Sequence, residues 1–175
     1  MGDSWVVEYL VDVAVIDRQL ADLVERFVLS PDASVARLLA SSIELAVAPP
    51  NGSLSRGVSG VVPAVVAHLP LMAPSARPCA VALLAQIAGS LLSADRVAGR
   101  YAIQTLLSAL PAIAALAQHG DADMQADFVD FVALCAALDL SVERQVAFYL
   151  QRVVTEVGGD IGASAETELK RLSAL

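Results

Sequence analysis

A chain of 175 residues with 57% hydrophobic but only 5% aromatic side chains must pack mainly through Ala, Val and Leu, which suits closely spaced helices and excludes a disordered chain. A formal net charge of -8 and a pI near 4.5 repel phosphate backbones and anionic lipid, so neither nucleic acid nor a membrane surface is expected as a partner. Two cysteines, Cys79 and Cys135, lie in apolar runs and read as reduced core thiols, with one disulfide between them as the alternative.

The first residues lack a basic region, and Asp3, Glu8 and Asp12 interrupt them, which speaks against a secretory signal and for a cytoplasmic location. Ten of the eleven basic residues are Arg, with Lys170 the single Lys; with the abundance of Ala and Val, this composition fits a GC-rich bacterial genome. Ser4 to Leu29 forms the first helical region. On a helical wheel Glu8, Asp12, Gln19, Asp22 and Arg26 share a stripe, while Val6, Leu10, Val13, Leu20 and Phe27 lie off it, with a break near Asp17. Ser30-Pro31-Asp32 ends this helix and opens the next: Ser30 as cap, Pro31 in the first helical position, Asp32 at the positive helix end. The second helix places Val35, Leu38, Leu39, Ile43 and Val47 on one face. It stops before Pro49, where PPNGSLSRGVSG forms a loop.

Val62 to Leu69 then reads as a helix with Pro63 in its first turn, ended by Pro70 and Pro74. Ser75 caps a helix through Val81, Leu84, Ile87 and Leu91, and Ser93 caps another from Ala94 through Val97, Tyr101, Leu106 and Leu107. Pro111 is expected to kink or split that helix. No Asp, Glu, Lys or Arg lies between Arg56 and Arg77, Arg77 and Asp95, or Arg100 and Asp121. These gaps approach the roughly 20 residues of a membrane helix, but prolines and polar side chains break them up, so they read as buried central helices. Leu106 to Leu138 forms two helices across a turn at His119–Asp123. Asp139 or Ser141 opens a helix with Val142, Val146, Tyr149, Leu150, Val153 and Val157 on one face, ended by Gly158-Gly159. Ser164 caps a last helix whose Leu169 and Leu172 cover the end of the core.

The pattern repeats. Val62-Pro63-Ala64-Val65-Val66-Ala67 lines up with Leu110-Pro111-Ala112-Ile113-Ala114-Ala115, 48 positions later, and turns recur at Pro31-Asp32, Pro74-Ser75 and Asp121–Asp123. Arg18–Val47 and Leu106–Leu138 each combine a leucine-rich helix, a polar turn with Asp, and a second apolar helix. In the first, Asp32 is followed by Val35 and Arg37. These stretches resemble HEAT and armadillo helical hairpins, although Arg37 falls one position late and prolines replace the turn Asp in the middle hairpin. The resemblance implies an α-solenoid that binds proteins and carries no enzyme activity.

The expected fold is all-α: seven or eight helices in right-handed stacked antiparallel hairpins, a short HEAT-like solenoid. It forms one domain over 1–175, with hairpins at roughly 4–48, 60–92 and 94–138 and capping helices over 141–175. No motif for catalysis, metal or cofactor emerges. His68 and His119 have no second His at helical spacing, and CxxC, HExxH and GxSxG are absent. His119, Asp121 and Asp123 read as a capping turn. The candidate partner-binding residues are Asp123, Asp127 and Asp130, like charges on one helical stripe that a basic partner would relieve, with an ordinary solvated face as the alternative, and Phe148, an aromatic off its helix's apolar stripe near Arg144 and Arg152, with packing under the C-terminal capping helix as the alternative. The expectation is a non-enzymatic module binding a basic protein, for instance a bacterial immunity or inhibitor protein that masks a cationic toxin. The alternatives are a homo-oligomer, such as a homodimer through the uncharged centre, and a helical enzyme or ligand-binding protein with a pocket between helices.

Overall fold

The computed structural model describes residues 18–49, 54–93 and 96–174, and every structural statement refers to these. They form eight α-helices and no strand: α1 (Arg18–Val28), α2 (Ala33–Val47), α3 (Val58–His68), α4 (Arg77–Ser93), α5 (Arg96–Ala117), α6 (Ala122–Leu138), α7 (Glu143–Glu156) and α8 (Gly159–Leu172). Short 3₁₀ turns follow α3 and precede α7. The expected helix over residues 4–17 and the cap at Ser93 with Ala94 lie wholly or partly outside the described residues.

Several helix starts come from side chains placed to satisfy orphan N–H groups. Asp32 caps α2, its Oδ1 accepting from the Ser34 and Val35 amides at 2.8 and 3.0 Å. Asp32, rather than Ser30, is therefore the cap, and Pro31 precedes it. Ser30 turns its hydroxyl onto the Asp32 carbonyl instead. Asp121 caps α6 by accepting from Met124 N at 2.9 Å, and Asp139 accepts from Ser141 N at 2.8 Å ahead of α7. Gly158 and Gly159 take φ of 68° and 59°, a left-handed reversal that ends α7 and leads directly into α8. The last helix thus begins five residues before Ser164.

Both prolines lie inside a continuous helix, Pro63 beyond its expected first turn and Pro111 without splitting its helix in two. α3 starts at Val58, so Pro63 lies inside it, and α5 runs unbroken through Pro111. Each helix continues past its proline because tertiary packing outweighs one missing backbone hydrogen bond. Ser75 does not cap α4. Its hydroxyl donates to the Pro31 carbonyl of the preceding turn.

The helices pack in two rows. α1 lies on α3 and α3 on α5; α2 lies on α4, α4 on α6 and α6 on α8. Among the described residues the most extensive helix contact joins α4 to α6, where Leu84, Ile87, Phe131 and Val132 are fully buried. Gly99–Ala117 is long and apolar enough to cross a membrane by length and composition alone, with 39% of it buried inside the fold. Both cysteines are free and buried, so the disulfide alternative is set aside. The predicted face of α2 is rotated: Ala36, Leu39, Ala40, Ile43 and Val47 are buried, whereas Val35 and Leu38 face out. Alanine, small enough to let helices approach, fills the contact that the larger residues were expected to make.

Candidate functional site: a groove across three helices

Three helices of one row, α2, α4 and α6, share a groove of about 440 Å³. Its α2 wall carries Arg37, Ser41 and Glu44, its floor Cys79 and Gln86 from α4, and its α6 wall Asp123 and Asp127. Capping sets the register. Because Asp32 and Asp121 fix where α2 and α6 begin, Arg37 and Asp123 both fall near the starts of their helices, beside the start of α4. The Cys79 thiol donates to the Ala33 carbonyl at 3.6 Å and pins α4 to α2.

The electrostatics are unbalanced. Asp127 is half-buried, and burial is the largest influence raising its carboxyl from 3.8 to about 6. The neighbouring charges of Asp130 and Asp123 add to the rise, and Arg37 opposes it from the other wall. Burial also pushes the Cys79 thiol up, against the opposing pull of the nearby Arg37 charge. Cys135, deep in the core, is pushed up to about 12 by burial.

Of the predicted site residues, Asp123 and Asp127 line the groove, and Asp130, exposed on the same helix, acts on it through its charge. Phe148 does not join them. It stands 59% exposed on α7, edge-on to Tyr149 at 5.7 Å between ring centroids, rather than under the last helix. Arg152 turns away to Glu156, forming two hydrogen bonds of 2.9 Å. Sequence reasoning missed Arg37, Glu44, Cys79 and Gln86 as groove residues. The one legible signal was the seven-residue spacing of Arg37 and Glu44, which puts both on one helical stripe.

The histidines stand apart from this groove. His68 is buried, its Nδ1 donating to the Ala64 carbonyl at 2.7 Å. His119 is exposed at the third turn, beside a separate cavity that includes Ser75, Arg77 and Asp121. There Asp121 is engaged in capping, and Arg77 donates to the Met72 and Pro70 carbonyls. Among the described residues, no group of three or more His, Cys, Asp or Glu could hold a metal ion.

No protein-family description, curated protein or solved structure matches the chain.

Proposed function

We propose that this all-α chain is a short HEAT-like array of stacked hairpins that binds a basic segment of another protein in the groove over α2, α4 and α6. The observation that carries this reading is Asp127: a carboxyl held partly out of water between two like charges, on the wall of an open groove. Such an arrangement costs folding energy, and an incoming guanidinium or ammonium group would recover it. The stacking of second helices α2, α4 and α6 supports the array reading, since repeat arrays commonly present such a surface to partners. Phe148 would add an apolar contact for a partner large enough to reach α7. A bacterial inhibitor that covers the cationic active site of a toxin is the concrete form of this function, and a toxin gene beside its own would support that form.

Fluorescence anisotropy with labelled nona-arginine tests the reading. The triple substitution Asp123→Asn, Asp127→Asn and Asp130→Asn should weaken binding at least about tenfold. Removing three remote charges, by Asp22→Asn, Asp160→Asn and Glu166→Gln, should change it less than about twofold. Equal losses from the two sets would reduce the interaction to general charge attraction and sink the proposal.

A further inference from the structure

On α2, the side opposite the buried row Ala36, Ala40, Ile43 and Val47 carries Val35, Leu38 and Leu45, which are 46%, 71% and 60% exposed. A single exposed leucine is ordinary, but an apolar stripe along one helix marks a contact surface. Ser34, Ser41 and Ser42 lie along it, small enough to let another helix approach to about 8 Å. Arg37 and Glu44 border the stripe on one flank.

The pattern is complementary to its own reverse. Leu38 and Leu45 are two helical turns apart, and so are Arg37 and Glu44. We infer that the α2 stripe is a dimer face, occupied by α2 of a second copy of this chain running antiparallel about a twofold axis near Ser41. In that pairing Leu38 meets the partner's Leu45 while Arg37 meets the partner's Glu44. Symmetry makes each contact twice. Any other placement of two such helices loses the leucine pair, the charge pair or both. The border residues also belong to the groove wall, so the two grooves of the dimer would lie on the same side and run toward each other. The inference stands independently of what the groove binds.

Sedimentation equilibrium on the full chain tests it. The expected result is a weight-average mass rising from 18.2 kDa toward twice that value over roughly 10 to 500 μM, the range expected of a small single-helix interface. Leu38→Glu with Leu45→Glu, at exposed positions, should restore the monomer with an unchanged circular dichroism spectrum. Arg37→Glu and Glu44→Arg should each weaken association about tenfold, and the two together should recover it to within about threefold. A chain that stays monomeric throughout overturns the inference, whether the stripe is open or covered by another segment or partner. So does a dimer indifferent to Leu38→Glu, or a double charge reversal that fails to restore association.

Discussion

The Ser75 hydroxyl donates to the Pro31 carbonyl at 3.2 Å, joining two hairpin turns that are 44 residues apart in the chain. Asp121, in the third turn, lines a cavity with Pro74 and Ser75, so three turns lie along one edge of the molecule. That edge sets where α2, α4 and α6 begin and therefore which side chains meet in the groove.

The caps on this edge should be measurable. Asp32→Ala and Asp121→Ala each leave backbone N–H groups of a first turn without a partner, and each is expected to cost about 1 kcal/mol in urea denaturation. Asp22→Ala, on the exposed side of α1, should change stability by less than about 0.5 kcal/mol. Costs no larger at the caps than at Asp22 would show that the hydrogen bonds do not set the helix starts.

Asp127 should make the protein less stable as pH rises. Its folded carboxyl titrates at about 6 against an ordinary value of 3.8. Between those values the folded state binds more protons than the unfolded one, so the penalty is absent below the lower value and complete above the upper. Asp127→Asn removes it. The variant should gain about 1–2 kcal/mol at pH 8, allowing for solvent screening of a partly exposed group, and gain nothing at pH 3.5. Denaturation curves at the two pH values decide this, and a gain of equal size at both would contradict it.

Pro111→Ala is expected to stabilise the protein. It restores an N–H that can bond to the Leu107 carbonyl within α5, at an exposed position where the lost ring leaves no cavity. Greater freedom of the unfolded chain offsets part of the gain, leaving about 1–2 kcal/mol, or a rise of several degrees in Tm by calorimetry. A fall in Tm would mean that the ring itself packs against a neighbour.

Core and stripe should separate sharply. Phe131→Ala, in the closely packed contact of α4 and α6, is expected to cost about 3–5 kcal/mol. Leu38→Ala should cost less than about 0.5 kcal/mol in the monomer despite belonging to the apolar face read from sequence. A large loss at Leu38 would place it in the core after all.

The parts legible in sequence were those written locally. Asp121 and Gly158-Gly159 marked their turns because capping and left-handed backbone need particular residue types at particular positions. Pro63 and Pro111 misled because local propensity is overridden once a helix is covered on several sides. Leu38 misled because α2 packs through alanine, and a wheel weighted by side-chain size rotates toward the leucines. The groove was only half visible. Asp123, Asp127 and Asp130 share one helix, and so declared themselves through spacing. Arg37 and Cys79 reach them only through the packing of α2 and α4 beside α6, which no local pattern specifies.

The glycine pair between α7 and α8 has a mechanical consequence. α8 packs chiefly against α7 and α6, and none of the groove-lining residues lies beyond Asp127. Fraying that starts at the last helix and unzips backward through residues 158–159 would strip away the rear of the molecule while its acidic trough kept its shape. A protease cutting at that glycine pair would release α8 and leave every groove-lining residue in the remaining chain.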